Sequence, residues 1–347
     1  MYNQRYDQRN KLIAELAVAI GDQYVLHRPE EVMLYEYDGS ALDQALPEIV
    51  VVPGSTAEVA AVTRIAAAAR LPLVARGAGT GLSGGSIPVS GGIVVSLARL
   101  DRILRIDPVD RTAIVQPGVI NVELSERAAV HGLHFAPDPS SQRSSTIGGN
   151  VAVNAGGPHC LKYGVTSNHV LAATVVLSDG SIVHLGGTAP NAPGYDLLGA
   201  FIGSEGTLGI ATELTVRLTP NSEDVRTFLV IYDELDATST SVSAIIAAGI
   251  VPAALEMMVG RGIAAVEAAV QAGYPADARA VLLIEIDGLR EELEVQAKRI
   301  IAVCEQHGAR IGGIASLNRC FDSSNTTAYH HLERRRYNAS GDNGRNA

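Results

Sequence analysis

Residues 76 to 85 read Arg76-Gly77-Ala78-Gly79-Thr80-Gly81-Leu82-Ser83-Gly84-Gly85, with five glycines in nine positions. Three chemistries compete for such a run. Gly79 to Gly84 fits a GxGxxG dinucleotide fingerprint, with the acidic residue Asp101 about twenty positions on. That fingerprint needs a helix directly behind it, whose N-terminus receives a pyrophosphate. Gly81 to Gly85 fits GxSxG, in which Ser83 would be a nucleophile on a strand-turn-helix elbow. The residues that follow, Ser86 to Gly92, include a proline and two glycines and lead into a strand, so neither helix is expected. The third chemistry is a nest, in which successive N–H groups, unobstructed by Cβ atoms, curl around a diphosphate. A nest needs no helix, and five glycines are too many for a single turn.

Two further stretches have the same character. Ser144-Ser145-Thr146-Ile147-Gly148-Gly149-Asn150, continued by Ala152, Asn154, Ala155, Gly156 and Gly157, allows close backbone approach to a large flat ligand. Its hydroxyl and amide groups supply hydrogen bonds. Gly203-Ser204-Glu205-Gly206-Thr207-Leu208-Gly209 is the third. Three loops gathered on one ligand imply a long one, such as FAD.

The elements around these loops read as follows. An amphipathic helix is expected over 10–20, an irregular connector over 31–46, and a strand over 49–52 that stops at Pro53-Gly54. Ser55 caps a helix to about Arg70, with Glu58 three residues on, as a capping box requires. A strand over 73–76 enters the glycine loop. Strands follow over 93–97, 103–106 and 113–116, then a helix from Asn121 to about His131. Residues 136–164 form one long loop of small residues, and loops of that length are usually functional. Strands over 172–177 and 182–185 flank Ser178-Asp179-Gly180-Ser181, a hairpin signal. A short helix near 196–201 leads to the third glycine stretch and a strand over 210–218.

After Pro220 the pattern becomes alternating strands and helices with few glycines, which indicates a separate small α+β lobe. Strands are expected over 227–232, 253–258 and 280–286, and helices over 236–248, 262–272 and 291–307. The last 35 residues, from Gly313, contain no Val and five Asn, and they show no period. They read as a disordered tail, or as a reading frame that changes near Ile311.

The 347 residues suggest two domains. Apolar residues make up 47% and charged residues 18%, which provides for a core and excludes general disorder. The net charge of −10 argues against a nucleic-acid binder. A small anionic substrate stays open, because a cationic pocket can sit in an acidic protein. Cys160, Cys304 and Cys320 are far apart, show no metal spacing and fit a reducing compartment. No metal site is expected. The N-terminus lacks the apolar region of a signal peptide, and no apolar run reaches membrane-spanning length.

The motifs RGAGTGLSGG (76–85), VVPGST (51–56), PDPSS (137–141), TIGGNVAVNAGG (146–157) and GSEGTLGI (203–210) resemble the FAD-linked oxidases of the p-cresol methylhydroxylase (PCMH)/vanillyl-alcohol oxidase fold. PHCLKYG (158–164) and LEMM (255–258) are similar to the glycolate oxidase D-subunit branch of that superfamily. The resemblance runs from about residue 30 to about residue 310. It implies an α+β architecture: a two-subdomain FAD-binding PCMH-type fold followed by an incomplete α+β substrate-cap domain. The implied divisions are an N-terminal helical segment (1–45), the FAD-binding domain (46–221), a partial cap (222–312) and an anomalous tail (313–347).

The resemblance also implies the site residues. Arg76, Gly77, Ala78, Gly79, Thr80, Gly81, Leu82, Ser83, Gly84 and Gly85 would hold the pyrophosphate of noncovalent FAD. Pro137, Ser140, Thr146, Gly148, Gly149, Asn150 and Asn154 would lie along the ribityl chain and isoalloxazine. Glu205, Gly206 and Ile210 would face the flavin or adenine side, and Pro53, Gly118 and Gly156 complete the set. The implied reaction is oxidation of a small 2-hydroxy acid, glycolate or D-lactate, by hydride transfer from Cα to the flavin. Electrons would pass to companion flavin and iron–sulfur subunits, in the cytoplasm and against the inner membrane through those partners. D-2-hydroxyglutarate is an alternative substrate, and a nicotinamide-dependent enzyme is the alternative class.

Family members also carry HAGDGN-like and GEHGIG-like segments later in the cap, where substrate, base and metal positions are expected. This chain has neither, so its catalytic residues stay unassigned and low activity is expected. His159 and Cys160 could form a covalent flavin link or simply pack. Lys162 could steer a carboxylate or be solvated, and Met257-Met258 could line a pocket or fill a core.

Overall fold

The computed structural model describes residues 2–189, 194–270, 273–275 and 277–317. They divide into two compact units. The first comprises the chain up to Gly157 together with Tyr163–Pro220. The second comprises Pro158–Lys162 and the described residues from Asn221 onward. Both mix helices with sheets, so the fold is α+β.

The first unit contains two main sheets. One runs in the order Val25–Leu26, Ile49–Val51, Ile93–Ser96, Leu73–Arg76, and its last three strands are parallel. The helix Thr56–Ala69 carries the chain from Ile49–Val51 past one strand position to Leu73–Arg76. Val59, Val62 and Ala66 on that helix pack with Leu16 and Ile20 of the helix Tyr2–Ile20 against Ile49, Val51, Ile93 and Val95. Ser55 caps the crossover helix by accepting the Glu58 N–H at 3.2 Å. The Glu58 carboxylate takes the N–H of Gly54 at 2.7 Å, one residue ahead of the cap nitrogen that a capping box uses.

The chain leaving Arg76 must return to a neighbouring parallel strand. Residues 77–92 make that return without a helix, in turns and bends. The glycine run therefore lies just beyond the carboxyl end of a parallel strand, which is where open α/β sheets place ligands. With no helix behind it, neither the dinucleotide fingerprint nor the nucleophile elbow has its required context.

The second sheet is antiparallel, in the order Ile103–Asp107, Thr112–Val115, Ile210–Arg217, Val170–Val176, Ile182–Gly186. The hairpin expected at 178–181 joins the last two strands, and Asp179 Oδ1 accepts the Ser181 N–H at 2.8 Å. The inner face of this sheet packs Val115, Ala173, Val175, Leu214 and Val216 against Leu124 and Ala128 of the helix Asn121–Ala129. Residues 136–164 are not one loop. They contain the helices Ile147–Val153 and Cys160–Tyr163. Thr146 starts the former by accepting the Gly149 N–H at 3.2 Å, and Ile147 and Val151 anchor it in the core. The two glycines of its first turn mask the helix in a propensity reading.

The second unit is an antiparallel sheet in the order Ala254–Val259, Ala280–Gly288, Asp224–Tyr232, Arg310–Leu317. Alternate residues face opposite sides. Phe228, Val230, Tyr232, Leu282 and Ile284 pack with Ile245, Leu293, Ile300 and Cys304 of the helices Leu235–Ala247 and Arg290–Gln306. Leu229, Ile231, Val281 and Leu283 pack with Ile263 of the helix Gly260–Val270 and with Met258, while Met257 is exposed.

The strand Arg310–Leu317 corrects the reading that starts a patternless tail at Gly313. Gly312 and Gly313 interrupt its apolar alternation, which hides the strand in the sequence. Gly312 sits beside the register shift opposite Leu229 and Val230, and a Cβ there would come within 2.6 Å of Ile231 Cδ1. The rest of the expected tail, 318–347, lies outside the described residues.

Candidate cofactor site

Among the described residues of the first unit, a cavity of about 360 Å³ opens at the carboxyl end of Leu73–Arg76. That volume falls in the range of small-molecule and cofactor sites. All three glycine stretches reach it. Arg76, Gly77, Ala78, Gly79, Thr80, Gly81, Leu82, Ser83 and Gly85 come from the first, Thr146, Gly148, Gly149 and Asn150 from the second, and Glu205, Gly206 and Ile210 from the third.

Other expected site residues do not line it. Gly84 turns its N–H to the Asp38 carboxylate at 2.8 Å. Gly118 is a packing glycine: its N–H donates to the Leu100 carbonyl at 2.6 Å, and a Cβ would lie 2.5 Å from the Leu97 carbonyl. Pro53 is buried, and Ser140 is exposed. The Pro137 carbonyl accepts from Asn121 Nδ2 at 3.0 Å. Asn154 ends the helix Ile147–Val153 with φ +49°, and its Oδ1 accepts the Ser167 N–H at 2.9 Å. Gly156 is half-buried and stands outside the wall.

Residues outside the expected set complete the wall, among them Asp38, Ser86, Pro117, Ser141, Ser145 and Ser204. The signal for Asp38 is present in the sequence as Asp38-Gly39-Ser40, an Asx-turn triplet within the irregular connector. Ser145 and Ser204 sit inside the glycine-rich motifs themselves.

The wall has the donor set an extended anionic cofactor needs. Among the described residues, no acceptor pairs with the N–H groups of Gly79, Thr80, Gly81, Leu82 or Ser83. A Cβ at Gly81 would meet nothing within 4 Å. Ser145 Oγ, Ser204 Oγ and Asn150 Nδ2 are buried side-chain atoms without a hydrogen-bond partner. Buried polar atoms are normally satisfied, so these three point to a ligand with polar groups. Leu97, Val151, Phe201 and Ile210 supply apolar wall. The diphosphate, polyol and flat ring of FAD match that mixture.

Arg76 is 7% exposed, and its Nη1 donates to the Tyr37 carbonyl at 2.8 Å and Ser86 Oγ at 3.2 Å. Burial holds its guanidinium below the ordinary arginine pKa, against the opposing fields of Tyr35, Asp38 and Tyr37. Its first task is thus to brace the loop. Glu205 holds a left-handed φ of +53°, unusual for a non-glycine residue and of a kind that clusters at ligand sites.

His159 and Lys162 belong to the second unit. His159 Nε2 meets Glu285 Oε1 at 3.0 Å. Lys162 Nζ donates to the Asp287 carbonyl at 2.6 Å and to its carboxylate, so Lys162 is not a solvated loop lysine.

Residues 47–186 match the family described as FAD binding domain, and residues 221–327 match FAD linked oxidases, C-terminal domain. The chain belongs to the FAD-linked oxidases, and its cofactor is FAD. It is 42% identical over 315 residues to glycolate oxidase subunit GlcD of Escherichia coli (strain K12), covering 89% of this chain and 63% of that protein. It is 39% identical over 253 residues to D-lactate dehydrogenase of Anaerostipes hadrus, covering 72% of this chain and 52% of that protein. The chain thus spans less than two thirds of the length of these relatives. In fold it is similar to p-cresol methylhydroxylase, with a TM-score of 0.75 at 18% identity over 93% of this chain and 68% of that one.

Proposed function

We propose that this chain holds FAD noncovalently in the cavity of its first unit and serves the oxidation of a small 2-hydroxy acid, glycolate or D-lactate. The observation that carries the cofactor's placement is the run of unpaired N–H groups from Gly79 to Ser83, facing a wall that bears three buried polar atoms without partners. The relatives named for glycolate and D-lactate support the substrate class.

In this reading the nest N–H groups hold the diphosphate, which preorganised backbone dipoles do without rearrangement. Ser145, Ser204 and Asn150 take polar groups along the cofactor. Val151, Phe201 and Ile210 exclude water from the ring. Bound FAD supplies the acceptor for the substrate's Cα hydride. The protein contributes orientation, and a misplacement of about 1 Å can cost about 100-fold in rate. Residues 46–221 act as the FAD-binding region and 222–312 as part of a substrate cap.

Companion flavin and iron–sulfur subunits would take the electrons onward, a reading supported by the designation of the Escherichia coli relative as a subunit. No helix among the described residues is long and apolar enough to cross a membrane.

The test is a visible spectrum of the purified chain, followed by anaerobic mixing with glycolate and with D-lactate. A bound oxidised-flavin band that acid or heat releases, and that one of the two acids bleaches only slowly, is the expected result. Folded protein that takes up no added FAD overturns the cofactor's placement. Flavin that neither acid reduces overturns the substrate assignment for this chain.

A further inference from the structure

The glycine loop does not support itself. Residues 35–40, in the connector between Val25–Leu26 and Ile49–Val51, hold it at four points. The Gly39 N–H donates to the Gly81 carbonyl at 2.9 Å. The approach is so close that a Cβ on residue 39 would lie 2.8 Å from the Thr80 carbonyl oxygen. The Tyr37 carbonyl accepts from Arg76 Nη1, whose guanidinium lies 5.7 Å from the Tyr35 ring centroid. Asp38 makes the fourth contact. Its Oδ2 accepts the Gly84 N–H at 2.8 Å, and its Oδ1 accepts the Ser40 N–H at 2.9 Å and the Ser40 hydroxyl at 2.6 Å.

Every one of these bonds uses the carboxylate as an acceptor, and Asp38 is 3% exposed. An amide in its place would put an NH₂ group against one of the two backbone N–H donors. Gly84 holds φ +79°, which keeps its N–H directed at Asp38 and ends the run of unpaired N–H groups one residue earlier, at Ser83.

We propose that Asp38 is a positioning residue for the cofactor: ionised, it shapes the nest of Gly79–Ser83 that receives the diphosphate. The inference rests on the proposed FAD site. The charged group that faces Asp38 from the neighbouring strand is Arg76, with Tyr35 and Tyr37 of Asp38's own segment around that guanidinium. Burial pushes the Asp38 carboxyl up. The bonds from Ser40 and Gly84 and the charge of Arg76 outweigh that push and hold it below the ordinary aspartate value. Nest shape therefore persists above the ordinary carboxylate range and is lost only as pH falls through the lowered value.

The experiment measures the affinity of FAD, and of ADP as a probe of the diphosphate end, for the wild-type chain, Asp38→Asn and Asp38→Ala. Both ligands should weaken by the same factor, about tenfold or more, in both variants, since each loses acceptor capacity at the loop. Flavin release, read as recovered fluorescence, should rise in the wild type as pH drops through the acid range. Asp38→Asn should lack that Asp38-linked transition. Ser40→Ala, which removes only the hydroxyl bond to Asp38, should move the release to higher pH, and an unmoved profile overturns the inference even if an Asp38 variant misfolds. FAD that weakens while ADP does not, or a wild-type acid profile matched by Asp38→Asn, overturns the inference. Wild-type chain that takes up no FAD overturns the cofactor's placement instead, and that is seen before any variant is measured.

Discussion

The Thr146 hydroxyl lies against Gly77 so closely that a Cβ on residue 77 would overlap it. The same hydroxyl caps the helix Ile147–Val153 by accepting the Gly149 N–H at 3.2 Å. Two walls of the cavity thus meet at a contact that only glycine permits.

Gly77→Ala should therefore act on the fold itself. Overpacking of this kind destabilises by about 1–3 kcal/mol. A lower melting temperature of the flavin-free protein, read by circular dichroism, is the expected outcome. An unchanged melting temperature would show that the helix start can yield.

Gly81→Val should behave differently. A Cβ at Gly81 meets nothing within 4 Å, and the same is true of Gly187, which is exposed and away from the cavity. Neither substitution should disturb the flavin-free fold. Flavin retained after gel filtration should fall about tenfold or more in Gly81→Val, because the side chain fills the nest, and stay normal in Gly187→Ala. Equal flavin content in the two would remove the diphosphate from this loop.

Asp287 has a carboxylate with no exposed surface, and it is met by Lys162 and by the Ser222 hydroxyl at 2.5 Å. Removing Lys162 takes an ammonium from this buried carboxylate, and because Lys162 is 29% exposed the cost should fall below the roughly 3–5 kcal/mol of a fully buried pair. Lys162→Met should lower the urea midpoint accordingly, and pairing it with Asp287→Asn should recover part of the loss. A double variant as unstable as the sum of the two singles would show that the pair does not couple.

His169 is buried, and its Nε2 lies 2.9 Å from the Tyr163 carbonyl, which places the proton on Nε2. Its Nδ1 is buried without a partner. Burial, and secondarily the charge of Arg217, hold its pKa below the ordinary 6.5, although the Tyr163 bond raises it. The unfolded chain then binds the proton more readily, so the contribution of the neutral ring is fully present above pH 6.5 and is lost as pH falls below it. Unfolding titrations of wild type and His169→Gln should diverge in slope below that value. Parallel curves would mean the imidazole titrates normally.

Much of this protein was legible in one dimension because local rules decided it. Ser55 and Glu58 announced the crossover helix, Asp179-Gly180 announced the hairpin, and the alternation of strand and helix patterns after Pro220 announced the second unit. The glycine density of 76–85 signalled a ligand-binding backbone, since no other residue leaves so many N–H groups unobstructed. Pro88, Gly91 and Gly92 leave no helix after Gly85, which separates this loop from a dinucleotide fold.

Other features depend on contacts between residues distant in the chain. Asp38 sits in a segment with no period, and its importance comes from a bond to Gly84, forty-six positions away. Gly118 and Gly77 look alike as glycines. One packs against carbonyls of the core, the other against the Thr146 hydroxyl, and only the packing distinguishes them. The strand Arg310–Leu317 carries two glycines and no clear alternation, and it forms because Asp224–Tyr232 offers it an edge. Sequence determines which groups are available and the local bends they favour. Tertiary structure decides which N–H groups stay unpaired and which carboxylates are buried, because both depend on what the rest of the chain brings within about 3 Å.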